Sequence, residues 1–264
     1  MTLNLRQKQI LQLLEEAGSV SILDLAERFR VSDETIRRDL RVLSEDGRVE
    51  KFHGGVRIGE GRREAPFERR LKEMTDAKRR IAAMTAELIS DGATVLLDNS
   101  STSCFLAHAL VERENLTAIT FSVEVAQILI SGERRHRVIL PGGELRREDR
   151  TIIGPSAIQF ASQFTPDVFV MSVAAASADR GLMDFDLFET ELKRAMIGLA
   201  GKVVAMIDSS KFAKSGLIQV CDWSAVDLLV SDAVPRDVTA AMPPGSIHLA
   251  APAIGAAMAP NPAE

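Results

Sequence analysis

A chain of 264 residues, 46% apolar and 26% charged with a formal net charge of -5, is long enough for two domains and apolar enough to bury a core in each. No apolar run approaches the roughly 18 residues of a membrane span, and the polar start from Met1 to Ile10 lacks the apolar core of a secretory signal. Cys104 and Cys221 are too few for a disulfide framework and fit a reducing cytoplasm, so the expected location is cytoplasmic with no membrane partner.

Residues 1–57 hold ten Lys and Arg against ten Asp and Glu, so bulk charge does not mark them as a nucleic-acid binder; the placement of the charges must. Ile10, Leu13, Leu14 and Ala17 set out a first helix closed by Gly18. Ile22, Leu25, Ala26 and Phe29 set out a second, with Ser21 as its N-cap. Ser32 caps a third that runs to about Asp46. Only residues 30–32 separate the second from the third, the spacing of a helix-turn-helix. Ile36, Leu40 and Leu43 fall at i, i+4 and i+7 and share one face, while Arg37, Arg38 and Arg41 lie off it, with Thr35 near the helix start. A helix so divided packs on one side and meets the DNA major groove on the other. From Arg48 to Arg57, Val49 and Phe52 flank polar residues, and Gly54-Gly55 is expected to supply the positive φ of a tight turn. This reads as a β-wing. The candidate DNA contacts are Ser32, Thr35, Arg37, Arg38 and Arg41, together with Lys51, His53 and Arg57 of the wing.

Residues 59–63 form a polar, glycine-containing linker, and Pro66 follows. The pattern is helical from about Phe67 to Ser90, with Ile81, Met84, Leu88 and Ile89 on one face. Strand-like runs come at 94–98, 118–122, 137–140, 168–173, 202–208, 227–231 and 247–250, with helical stretches near 102–112, 122–131, 151–163 and 187–200. Such alternation predicts an α/β domain with a mostly parallel sheet and helices on both faces. The expected division is a winged helix-turn-helix over 1–57, a linker over 58–75, an effector-sensing α/β domain over 76–250 and an Ala/Pro-rich flexible tail over 251–264.

Ligands of open α/β sheets bind beyond the carboxyl ends of the strands. Three such ends carry suitable chemistry. Asp98, Asn99, Ser100, Ser101, Thr102 and Ser103 form a hydroxyl-rich loop entering a helix, where free N–H groups suit a phosphate. Gly142 and Gly143 let the backbone approach a ligand closely, and Asp208 and Lys211 offer a carboxylate and a cation beside Ser209 and Ser210. Singly, each has a plain structural reading as an N-cap, a turn or a solvated charge. Together they predict a site for a phosphorylated, polyhydroxylated small molecule.

Two other chemistries have candidate residues. Isomerisation by proton transfer has Asp98, Asp208, Glu191 and Lys211 available, but no full catalytic constellation, so no enzyme is expected. A redox sensor would use Cys104, where a helix start could lower the thiol pKa. His53, His108, His136 and His248 show no paired ligand spacing and no nucleotide-binding P-loop string is present, so neither metal nor cofactor is expected.

The residues also carry a resemblance. Arg6, Ile10, Leu14, Gly18, Leu25, Ala26, Phe29, Val31-Ser32, Thr35-Ile36-Arg37-Arg38-Asp39-Leu40, Leu43, Gly47 and His53-Gly54-Gly55 are similar to the DeoR family of bacterial transcriptional regulators. The likeness continues through Phe67-Glu68-Arg69-Arg70, Lys78, Asp91-Gly92, Pro141-Gly142-Gly143, Gly154 and Asp208-Ser209-Ser210-Lys211-Phe212. It implies a repressor of carbohydrate or related metabolic genes, and a homo-oligomer matched to paired operator half-sites. It also implies a C-terminal domain with the fold of ribose-5-phosphate isomerase that senses a phosphorylated sugar or related metabolite. The sequence departs from the family pattern at Ser100, where glycine is usual, at Phe121, where asparagine is usual, and at Ala174-Ala175-Ala176, which lacks the usual glycine. The change at Ser100 predicts a narrower choice of backbone conformations for cradling phosphate.

Overall fold

The structure, a computed structural model, describes residues 3–45, 48–52, 55–58, 64–212 and 214–250. Two bodies follow one another along the chain. In the first, α1 (Leu5–Ala17), α2 (Ile22–Phe29) and α3 (Asp33–Glu45) pack around a small antiparallel sheet of β1 (Ser19–Val20), β2 (Val49–Phe52) and β3 (Gly55–Ile58), in the order β1-β3-β2. Each helix boundary has a local cause. Asn4 and Gln7 close a reciprocal capping box at the start of α1, and Gly18 leaves it at φ 74°. The Ser21 side chain accepts from the Asp24 N–H at 3.0 Å, and α2 ends on Arg30 in the left-handed region. Ile10, Leu14, Leu25, Ile36, Leu40, Leu43 and Val56 are fully buried between these elements. Truncating any of the buried leucines or isoleucines to Ala costs about 2–5 kcal/mol.

The expected α-helical face and wing are therefore present, with two differences. β1 is a third strand whose two residues are too short to leave a periodic signal. Gly55 does not turn the chain at positive φ; it lies within β3, where a Cβ would stand 2.8 Å from the Val20 carbonyl oxygen and 2.9 Å from the Phe52 ring. Close approach is what this glycine provides. Gly54 and His53 lie outside the described residues.

The second body begins with α4 (Phe67–Arg70) and α5 (Thr75–Glu87), so the single helical stretch read from 67 to 90 is divided. Met74 at φ 53° makes the break. There follow β4 (Thr94–Leu97), α6 (Ser101–Leu110), β5 (Thr117–Thr120), α7 (Val123–Ser131) and β6 (Arg137–Ile139). A hairpin of β7 (Glu144–Arg146) and β8 (Thr151–Ile153) leads to α8 (Pro155–Ala161) and β9 (Val168–Met171). Then come β10 (Ala175–Ser177), β11 (Gly181–Asp184), α9 (Leu187–Ile197), β12 (Val203–Met206), β13 (Ile218–Cys221), β14 (Leu228–Ser231), α10 (Arg236–Ala241) and β15 (Ile247–Leu249).

The seven strands anticipated from apolar runs are the seven of one all-parallel sheet, in the order β15-β14-β12-β9-β4-β5-β6. Strands such as β9 and β12 are buried along their whole length, which is why they read as continuous apolar runs rather than alternating ones. Val95 and Leu97 face a core built with α5, α6 and α7, while Leu96 faces the opposite core built with α8, α9 and α10. What the runs did not reveal is the antiparallel β10-β11-β13 sheet and the β7-β8 hairpin; the latter replaces the start of the helix expected near 151–163. Residues 251–264, expected to be a flexible tail, lie outside the described residues. No helix among the described residues is long and apolar enough to cross a membrane.

The strand order positions the site. From β4 the chain moves outward through β5 to β6, then returns to the other side of β4 as β9 and moves outward again through β12 and β14. The connections diverge at β4 and β9, and a crevice opens beyond their carboxyl ends.

Candidate functional site

The crevice is filled with paired charge. After β4, the Asp98 carboxylate accepts from the Ser100 N–H at 3.0 Å, the Ser103 hydroxyl at 2.5 Å and, across the switch point, the Ser172 N–H after β9 at 2.7 Å. Asp98 thus ties the two strand ends together. Ser100 caps α6 by accepting from the Ser103 N–H at 3.1 Å. Its backbone is extended, φ -71° and ψ 156°, a conformation open to any residue, so the missing glycine imposes no backbone strain on this loop. Phe121 and Ala174 to Ala176, the other departures, are core residues.

Behind the loop stands Lys193 of α9, whose side chain is 4% exposed. Its ammonium lies 2.6 Å from Asp184 and 3.7 Å from Asp98. Burial opposes the Lys193 charge, but Asp184, Asp98 and Glu189 overcome it and hold the pKa above that of an ordinary lysine. Asp184 in turn accepts from the Ala174 N–H at 2.8 Å. Arg146 of β7 reaches in from another side. It donates to Asp149 at 2.9 and 2.5 Å, to Asp186 at 3.2 Å and to Glu189, while Asn99 donates to Asp149 at 3.2 Å. Glu189 is pushed up to about 7, chiefly by burial and by Asp184 and Glu64, against the pull of Lys193 and Arg146.

Cations crowd the mouth. Lys78 of α5 donates to the Ser101 hydroxyl at 3.1 Å and to the Arg70 carbonyl. Burial lowers its pKa to about 8; Lys211 and Arg70 add to that, and Asp208 opposes it. Lys211, in a short turn beyond β12, lies 3.4 Å from Glu64, and Arg70 lies 3.1 Å from the same carboxylate. Asp208 is buried. One of its oxygens accepts from the Ser210 N–H at 3.1 Å and hydroxyl at 2.5 Å; the other, Oδ2, has no hydrogen-bond partner among the described residues. A cleft of about 520 Å³ opens beside this cluster, lined among others by Phe67, Arg70, Arg146, Asp149 and Glu189. An anion seated against Ser101, Lys78, Lys211 and Arg70 would place the rest of a small molecule within reach of carboxylates and guanidinium groups that bind hydroxyls.

Asp98, Asn99, Ser100, Ser101, Thr102, Ser103, Asp208 and Lys211 are accordingly gathered at one end of the sheet. Gly142 and Gly143 stand apart, beyond the edge strand β6, where Gly143 packs against the Ile153 carbonyl. Lys193, Glu189, Asp184, Arg146, Arg70, Lys78 and Glu64 were not read as site residues. Glu191, a candidate for isomerase chemistry, is exposed. Cys104 departs from the expectation of a lowered thiol pKa. Burial, with Glu124 and Asp98 nearby, pushes it up to about 12, so the position near a helix start is outweighed. Among the described residues no group of three or more His, Cys, Asp or Glu is placed to hold a metal ion.

On the first body, Arg37, Arg38 and Arg41 are exposed along α3, and Ser32 and Thr35 share a hydroxyl hydrogen bond of 2.9 Å at its start. Lys51 is exposed on β2, and Arg57 of β3 pairs with Glu50 at 3.1 Å. Asp39 is buried instead, accepting from Arg6 at 2.5 Å, Gln7 at 3.1 Å and Asn4 at 3.3 Å, and so pins α3 to α1.

Two family models match the chain: a DeoR-like helix-turn-helix domain over residues 6–61 and a DeoR C-terminal sensor domain over 73–233. The chain belongs to the DeoR family. Among this DeoR-family protein's relatives is the glycerol-3-phosphate regulon repressor of Escherichia coli (strain K12), 36% identical over 230 residues, covering 87% of this chain and 91% of the relative. Another, from the same organism, is the HTH-type transcriptional repressor CsqR, 36% identical over 235 residues, covering 89% of this chain and 90% of the relative. Among solved structures, ribose 5-phosphate isomerase A from Methanocaldococcus jannaschii overlaps 52% of this chain and 54% of its own at 15% identity and a TM-score of 0.38.

Proposed function

We propose that this protein is an operator-binding transcriptional repressor of carbohydrate or related metabolic genes, controlled by a phosphorylated sugar or polyol bound at the β4/β9 crevice. The observation that carries the effector half is the convergence of Lys78, Lys211 and Arg70 on the Ser101 end of α6, beside hydroxyl-binding carboxylates. The repressor half is supported by exposed Arg37, Arg38 and Arg41 on a helix whose opposite face is fully buried, and by relatives that are themselves named repressors. Arg37, Arg38 and Arg41 contact bases or phosphates in the major groove, Ser32 and Thr35 the backbone at the helix start, and Lys51, His53 and Arg57 the flanking backbone. The protein acts in the cytoplasm as a homo-oligomer, so that two recognition helices meet paired half-sites. The effector works by binding one arrangement of those domains more tightly than another.

The test is a gel shift with the DNA upstream of the protein's own gene, titrating salt and a panel of phosphorylated metabolites. The reading expects sequence-selective, salt-sensitive binding that at least one metabolite changes tenfold or more. Absence of sequence-selective binding under every condition would remove the repressor reading.

A further inference from the structure

The anion position of the crevice is not lined only by the sensor domain. Glu64 enters it from the segment that joins the two bodies, and residues 59–63 alone separate it from the end of β3. Its carboxylate sits 3.1 Å from Arg70 and 3.4 Å from Lys211, and its side chain is only 23% exposed. It also borders the pocket that Ser101, Thr102, Ser172 and Lys193 line. Burial alone would raise the Glu64 pKa, but Arg70, Lys211 and Lys193 reverse the shift and keep it ionised. A carboxylate from the linker therefore holds the same cations that a ligand's anionic group would need.

Resting on the reading of this crevice as an effector site, we propose that Glu64 is an internal ligand, which the phosphate of the effector must displace, and that its release is the event passed into the interdomain segment. A phosphate has the means to displace it. It brings close to two negative charges and three acceptor oxygens, where a carboxylate brings one charge and two oxygens. Arg70, Lys78, Lys211 and Lys214 outnumber Glu64, Glu73 and Asp208 in the pocket they line together, and Lys78 donates to Ser101 rather than to a carboxylate. A neutral polyol can accept hydrogen bonds from these cations but brings no charge to replace that of Glu64, and leaves Glu64 seated. Glu64 thereby sets a threshold that favours phosphorylated over unphosphorylated ligands. Its displacement also frees the chain next to the wing from its anchor on the sensor.

The experiment uses the full chain and inorganic phosphate, which probes the anion position without assuming the rest of the effector. Calorimetric titration compares the wild type with Glu64→Gln, Glu64→Ala and Lys211→Ala, each checked for folding by circular dichroism. A site closed by its own side chain in nine of ten molecules binds about tenfold more weakly than an open one, so both Glu64 variants bind phosphate about tenfold more tightly, while Lys211→Ala binds it more weakly. If both Glu64 variants match the wild type or bind more weakly while Lys211→Ala still loses affinity, Glu64 is no competitor, although the site stands. If no variant and no wild type binds phosphate, the site reading fails and this inference fails with it. The second readout is operator binding at matched ionic strength. Glu64→Gln alone shifts it in the direction that saturating phosphate shifts the wild type; an operator affinity unchanged in both Glu64 variants overturns the relay into the linker.

Discussion

The two bodies place their charges in opposite ways. In the first, Arg37, Arg38 and Arg41 stand in solvent on a helix held by an apolar face, and one buried acid, Asp39, locks that helix to its neighbour. In the second, the charges converge inward, with Lys193, Asp184, Asp98 and Glu189 buried at the end of a parallel sheet. Exposed charges act on a partner and contribute little to folding. Buried ones are bound to one another first, so any ligand must enter an existing network, and removing one member strands the rest.

The sharpest way to break this contrast is Lys193→Met. It leaves Asp184 and Asp98 buried without their cation and should cost about 3–5 kcal/mol in urea unfolding of the sensor domain; a loss below 1 kcal/mol would mean the network is not what holds the crevice. Next in size, Asp39→Ala leaves buried Gln7 without its acceptor and should cost the first domain about 1–3 kcal/mol. Arg38→Ala should change stability by no more than about 0.5 kcal/mol while weakening operator binding. If it instead unfolds the domain, its outward placement is wrong. A subtler difference lies in pH dependence. Glu189 has a folded pKa of about 7 against an ordinary 4.5, so its contribution to stability is full below about 4.5 and is lost as pH rises through about 7. Glu189→Gln should therefore remove part of the downward slope of stability across that window, measured as the difference between the two unfolding profiles. Smallest of all, Cys104, with its thiol pushed up to about 12, should resist alkylation at pH 8 in the folded protein; wild-type DNA binding should be insensitive to peroxide and unchanged in Cys104→Ser.

The same contrast decides what was legible in the sequence. The face of α3 could be read because Ile36, Leu40 and Leu43 repeat at helical spacing and the arginines between them are charged in the way solvent-facing residues are. The parallel strands could be read because burial on both faces makes them continuous apolar runs. The loop after β4 could be read from its hydroxyls. Lys193 and Glu189 could not. They fall at i and i+4 on the face of α9 that also carries Leu192 and Met196, and a charge on a helix is ordinarily assigned to solvent. Their burial depends on Asp184 and Asp98 arriving from β11 and β4, which no local pattern contains. Arg146 and Glu64 were missed for the same reason. One lies in a hairpin too short for a period and the other beside a polar linker, and each acquires meaning only from the strand order. Asp39 could have been found: it sits between Ile36 and Leu40, on the edge of the buried face.

The central claim is that the β4/β9 crevice controls the DNA-binding face of α3. It is tested most directly by fluorescence anisotropy of labelled upstream DNA with the full chain, titrated with phosphorylated metabolites, for the wild type, Lys211→Ala and Arg38→Ala. The account predicts a metabolite that shifts operator affinity tenfold or more in the wild type, a response that shrinks toward none in Lys211→Ala, and an Arg38→Ala protein that loses the DNA but binds the metabolite as the wild type does. A Lys211→Ala protein responding as fully as the wild type would contradict it.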